Sequence, residues 1–126
     1  MPFYRTNIRP GLLDVDRRAT FSQDVVDVHC GVTGAPPSFV HVMYTETDAM
    51  PDGIDGQVFG TIRSGRNGDQ KREIAARLSA LLAERAEVSV DAVTVATADI
   101  EASYTMEGGV LLPEPGSAEE EAWSAS

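Results

Sequence analysis

Cysteine occurs once, at Cys30, in a chain of 126 residues. No intramolecular disulfide and no cysteine-based metal cluster can form, so Cys30 is expected as a small buried hydrophobe. Basic residues are also scarce, 10 against 20 acidic, for a formal net charge of −10. That balance argues against nucleic acid and anionic membranes as partners, since both demand basic surface. A small anion is not excluded. The acidity is densest in the loop Asp48 to Asp55 and in Glu119-Glu120-Glu121, so a local group of arginines elsewhere can still hold a carboxylate. Uncharged apolar runs never reach the roughly 18 residues of a membrane-spanning helix. The first residues carry Arg5 and Arg9 in an alternating pattern rather than the continuous apolar stretch of a secretory signal, and a cytoplasmic protein is expected.

Motifs for metals and cofactors are missing as well. The aspartates of the 47–57 loop lack EF-hand spacing and its terminal glutamate. Neither Gly-x-Ser-x-Gly nor His-Glu-x-x-His occurs. Gly60-Thr61-Ile62-Arg63-Ser64-Gly65 has the glycine spacing of a P-loop, but Arg66-Asn67 replaces the required Lys-Ser/Thr. We expect no metal and no cofactor.

What is present reads as alternating strands and helices. Residues 3–9 mix aromatic and β-branched with polar residues and stop at the turn dipeptide Pro10-Gly11, a first strand. Asp14 or Asp16 offers a helix N-cap, and Val15, Ala19, Val25, Val26 and Cys30 form an apolar stripe up to Gly31. Gly34-Ala35-Pro36-Pro37 breaks the chain before a second strand, Ser38 to Glu46. Residues 47–57 read as a surface loop, and Val58 to Arg63 as a third strand. Asp69 to Arg85 is a second helix, with Ile74, Leu78, Leu81 and Leu82 on one face. A fourth strand within Val88 to Ala98 centres on Ala92 to Val95.

The pattern repeats after about 54 residues, Arg9-Pro10-Gly11 matching Arg63-Ser64-Gly65 and Phe39 to Val42 matching Ala92 to Val95. Each strand-helix-strand unit demands parallel strands joined by a right-handed crossover. The expected fold is therefore α/β, an α+β sandwich. Two β-α-β units form a four-stranded mixed sheet with two helices on one face, and the partly apolar opposite face invites self-association. The length suits one domain burying roughly two thirds of its unfolded surface. We place it at residues 1–116, with repeat halves at about 2–46 and 57–98, followed by an acidic, flexible tail at 117–126.

Four features fall at turns or element ends: Pro2, His29, the pair Arg63 and Arg66, and Glu107. Each has an ordinary explanation. Pro2 suits an edge strand, His29 near a helix C-terminus suits the helix dipole, and the arginines and Glu107 suit solvated turns. Pro2 acquires chemistry only if Met1 is removed, because behind Met1 its nitrogen is a tertiary amide without basicity.

Taken together these residues resemble the tautomerase superfamily. The carriers are the Met1-Pro2-Phe3-Tyr4 start, the two β-α-β units and the turn Arg63-Ser64-Gly65-Arg66. More narrowly, His29 within Val28-His29-Cys30-Gly31-Val32-Thr33-Gly34, that arginine turn, and Met106-Glu107 followed by Leu112-Pro113-Glu114-Pro115-Gly116 resemble the cis-3-chloroacrylic acid dehalogenase family. The likeness spans about residues 2–116, and Trp123 resembles a tryptophan of the family's longer tail. It implies a homotrimer with a tautomerase-like β-α-β fold. It also implies an amino-terminal proline, here Pro2, beside His29, Arg63 and Arg66, which hold a substrate carboxylate, with Glu107 handling water. Tyr4 matches a substrate-side tyrosine. The family's water-activating tyrosine falls on Ala96, eight residues from Tyr104.

The physics agrees with these implied roles. Two nearby guanidinium groups and a partly dry pocket both disfavour an ammonium, so a freed Pro2 amine can work as base or acid near neutral pH. Arginines grip a carboxylate bidentately and draw electron density from a conjugated double bond. Three readings follow. The first is a tautomerase acting on enol, 2-oxo or unsaturated acids. The second is a hydratase or dehalogenase using Glu107, disfavoured by Ala96. The third is a trimeric binding protein of weak activity, which retention of Met1 would enforce.

Overall fold

The computed structural model describes residues 2–63, 67–100, 106–107 and 109–111. The side chains of Arg63, Met106, Glu107, Val110 and Leu111 lie outside that description, as do Ser64, Gly65, Arg66, Tyr104 and the tail with Trp123. The elements are β1 (Phe3–Ile8), α1 (Val15–Thr33), β2 (His41–Glu46), β3 (Gly56–Arg63), α2 (Gly68–Ala86), β4 (Val93–Ile100), β5 (Met106–Glu107) and β6 (Val110–Leu111).

Local chemistry sets the helix ends. Asp14, not Asp16, caps α1, its Oδ1 accepting the Arg17 N–H at 2.8 Å. The helix runs through Gly31 to a left-handed Gly34 at φ 76°, whose N–H donates to the Cys30 carbonyl. Asn67 and Gln70 form a reciprocal capping box on α2. Pro37 to Phe39 make a short 3₁₀ turn, with the fixed φ of Pro37 suited to its first position, and β2 begins three residues later than Ser38. A similar turn at Val90–Ala92 delays β4, which continues to Ile100. At its other end β3 begins two residues before Val58, because Gly56 pairs with Val93.

The main sheet has the order β2-β1-β3-β4. β1 pairs parallel with β2, and β3 with β4, while β1 and β3 run antiparallel through the centre. Two crossover units thus meet along one antiparallel seam, the arrangement implied by the repeat. Tyr4, Thr6 and Ile8 of β1 and Gly56, Val58, Gly60 and Ile62 of β3 face the helices and are buried. They close on Phe21, Val25 and Val28 of α1 and Ile74, Leu78 and Leu82 of α2, with Leu12 and Leu13 below. Each such side chain contributes about 1.5–3 kcal/mol of burial. Arg85 joins the helices through a two-point contact with Asp24, Nε at 2.8 Å and Nη2 at 3.2 Å.

The apolar stripe of α1 differs from the expected one. Only Val25 is common to both: Val15 is 67% exposed, Ala19 is exposed, and Val26 and Cys30 are half-buried. The helix turns its bulkiest apolar residue, Phe21, into the core, and positions 25, 28 and 29 follow on that face. Cys30 is consequently displaced from the interior. On the opposite side of the sheet, Phe3, Met43 and Phe59 remain 40–52% exposed, and one row reads Met43, Arg5, Phe59, Ala96.

Candidate active site

The start of β1 gathers the first candidates. Pro2 is buried, and its carbonyl accepts the His41 N–H at 3.0 Å, which ties the residue just before β1 to the start of β2. Alternation sets Tyr4 on the same face as Pro2, under the helices. Because α1 runs back along the sheet, its last turns return to this end, and His29 lies over Tyr4. The two side chains are 2% and 0% exposed, and the Tyr4 hydroxyl is 2.7 Å from His29 Nδ1. Their rings meet edge-on with centroids 5.7 Å apart. His29 is therefore a core residue with a phenolic partner rather than a surface cation on the helix dipole.

This contact depends on a residue that sequence motifs misrepresent. Gly60 stands opposite Tyr4 in the β1–β3 register, and a Cβ there would lie 2.6 Å from Tyr4 Cε1 and 3.0 Å from Cδ1. The phenol ring occupies the space that a side chain at position 60 would need. Gly60 sits within β3 rather than in a phosphate-cradling loop, so its spacing to Gly65 has no P-loop meaning. A glycine inside a strand pattern, which signals close approach of another group, was the available clue.

Burial pushes the Tyr4 phenol well above its ordinary range, with the neighbouring Cys30 adding to the effect. Burial also raises the Cys30 thiol, and Asp27 raises it further. Tyr4 is thus a neutral hydrogen-bonding phenol rather than a phenolate.

Arg63 is the last residue of β3, paired with Ile100. Phe3 stands opposite Thr61, so continuing that antiparallel register by one residue sets Pro2 beside Ile62, next to Arg63 in the chain. The backbone thus brings Pro2, Tyr4, His29 and Arg63 to one end of the sheet. Arg66 lies outside the described residues, between this strand end and the Asn67 cap. Glu107 pairs with Val110 in a separate two-stranded ribbon, β5 with β6. Ala96 is exposed on the outward face, in register with Phe59. Among the described residues, no group of three or more His, Cys, Asp or Glu is placed to hold a metal, and no helix is long and apolar enough to cross a membrane.

This architecture is shared with a wild-type fused 4-OT asymmetric trimer, at a TM-score of 0.78 and 20% identity over 86% of this chain and 94% of that one. It is shared also with the macrophage migration inhibitory factor of Toxoplasma gondii, at a TM-score of 0.74 and 20% identity over 87% and 99%. The fold is that of the tautomerase superfamily. No family model and no curated protein matches the sequence. The crystal structure of N1, a member of the cis-3-chloroacrylic acid dehalogenase family, superposes with a TM-score of 0.86 and 31% identity, covering 98% of this chain and 91% of that one. This chain belongs to the cis-3-chloroacrylic acid dehalogenase family.

Proposed function

We propose that the chain is a cofactor-independent tautomerase acting on a small enol, 2-oxo or unsaturated carboxylic acid, with Pro2, freed of Met1, as general base and acid. The supporting observation is the burial of Pro2 at the strand start, on the face where Tyr4 and His29 are hydrogen-bonded and at the sheet end where β3 delivers Arg63. In this reading Arg63 and Arg66 grip the substrate carboxylate, and His29 donates a further hydrogen bond on the Tyr4 side of the site. The Pro2 amine takes the enol hydroxyl proton, and the resulting ammonium returns a proton to carbon. A dry setting favours this exchange by disfavouring the charged amine. Glu107 orients a water or polarises the far end of the substrate.

Ala96 favours this reading over water addition. It has only a methyl group where the family resemblance calls for a water-activating phenol, whereas moving a proton needs no bound water. A homotrimer in a cytoplasmic setting completes the proposal. Its support is the outward sheet face bearing Phe3, Met43 and Phe59, together with the trimeric assembly of the fused 4-OT.

Intact-protein mass of material from the native host tests the first requirement; retained Met1 removes the proline amine and favours a binding protein. With Met1 absent, Pro2→Ala is expected to reduce phenylenolpyruvate tautomerisation by at least about 100-fold, the scale of a general acid–base contribution. An unchanged rate sinks the reading. Halide release from cis-3-chloroacrylate at a rate typical of enzymes would show that Ala96 does not prevent water addition. Elution as a monomer on size-exclusion chromatography would refute the trimer.

A further inference from the structure

We infer that Tyr4 is a positioning residue that fixes His29 as the neutral imidazole carrying its proton on Nε2. Only the consequence for a bound carboxylate rests on the tautomerase reading.

A phenol and an imidazole nitrogen 2.7 Å apart can share their hydrogen bond in two ways. Either Nδ1–H donates to the phenolic oxygen, or the phenolic O–H donates to a bare Nδ1. The surroundings of Tyr4 decide between them. Its side chain is fully buried, and among the described residues its hydroxyl has no partner besides His29. If Nδ1–H were the donor, the phenolic hydrogen would be buried without an acceptor, a loss of about 1–3 kcal/mol. With O–H donating, the hydrogen is used and Nδ1 is satisfied. The ring must then carry its proton on Nε2. An imidazolium, protonated on both nitrogens, cannot accept this bond at all.

The geometry leaves Tyr4 little freedom to change roles. Gly60 leaves room for the ring on the β3 side, and the edge-on imidazole meets it from α1. Thr33 Oγ1 donates to the His29 carbonyl at 2.8 Å, tying the last turn of the helix beneath the ring. Tyr4 therefore acts through His29. On the proposed function, His29 then serves the substrate as an uncharged N–H donor, and the positive charge that holds the carboxylate is assigned to Arg63 and Arg66.

The chain has only two histidines, His29 and His41, so long-range proton–nitrogen NMR on the full ¹⁵N-labelled protein can read the tautomer directly, with His41→Gln assigning the signals. The expected result is a His29 with Nδ1 unprotonated and Nε2 protonated. A His29 protonated on Nδ1 overturns the inference without any variant. Tyr4→Phe removes the hydroxyl and keeps the ring; the single-tautomer pattern is expected to give way to a mixture, with KM for phenylenolpyruvate rising about fivefold, the equivalent of one neutral hydrogen bond. Gly60→Ala, which keeps the hydroxyl but displaces the ring, is expected to lose the pattern likewise. An unchanged pattern in a folded Tyr4→Phe protein overturns the inference. If the tautomer is as stated but no tautomerisation is measured, the proposed function fails and the inference about Tyr4 stands.

Discussion

Gly60→Ala is the smallest change that tests how the site is assembled, since it adds one methyl group to a buried strand. That methyl would sit 2.6, 3.0 and 3.3 Å from three carbons of the Tyr4 ring, well inside the roughly 3.5–4.0 Å at which carbon atoms attract. The ring cannot swing away cheaply, because it is fully buried and hydrogen-bonded to His29. Overpacking of this kind costs about 1–3 kcal/mol. Alanine recovers roughly 0.5–1 kcal/mol of backbone entropy relative to glycine, and loss of the Tyr4–His29 hydrogen bond takes away about 1 kcal/mol. A net destabilisation of about 1–3 kcal/mol follows. In a domain of this size that lowers Tm by roughly 4 °C for each kcal/mol. Urea unfolding at fixed protomer concentration should show a lower midpoint with unchanged slope. A Gly60→Ala protein as stable as the parent would refute the argument that Gly60 is there to admit the Tyr4 ring.

Other positions give independent tests. Phe21→Ala should cost about 3–5 kcal/mol in the same unfolding assay, whereas Val15→Ala, at an exposed position of α1, should stay within about 0.5 kcal/mol; the reverse order would restore the stripe read from the sequence. Burial raises the folded-state pKa of both Tyr4 and Tyr44. Protons therefore leave these phenols more readily in the unfolded chain, so their contribution to stability is complete below the ordinary tyrosine value of about 10 and is lost as pH climbs past it. Ultraviolet titration should find Tyr4 un-ionised until the protein unfolds, and a reversible native ionisation near pH 10 that disappears in Tyr4→Phe would contradict this. Ala96→Tyr should leave the fold of the single protomer intact, because Ala96 is exposed on its outward sheet face. It should also raise halide release from cis-3-chloroacrylate at least about tenfold, a modest share of what a positioned acid or base supplies; no rise would mean that the missing phenol is not what limits water addition.

The sequence carried most of the architecture. Capping residues at Asp14 and Asn67, turn chemistry at Pro10-Gly11, and the internal repeat together implied two crossover units, and their parallel pairing follows from the connection lengths. It was less able to orient α1. The apolar residues of that helix, with Ala19 and Cys30, spread over about half of its circumference, so periodicity left the choice of face open, and docking against α2 and the sheet selected the one containing Phe21. Strand starts slipped for a related reason. Whether residues after a proline pair or turn depends on where the neighbouring strand ends.

Composition and motif order alone determined that this is a small acidic α/β protein, because that needs only residue types and spacing, while the resemblance to the tautomerase superfamily singled out Pro2, His29, Arg63, Arg66 and Glu107 as chemical candidates. Tertiary structure decided which of them share a place. Tyr4 and His29 are 25 residues apart in the chain and become partners only because α1 returns antiparallel to β1. Gly60 lies on a different strand and leaves room for the ring only because the central seam aligns it with Tyr4. Side-chain contact across such distances is set by strand register and helix rotation, and no one-dimensional pattern encodes either.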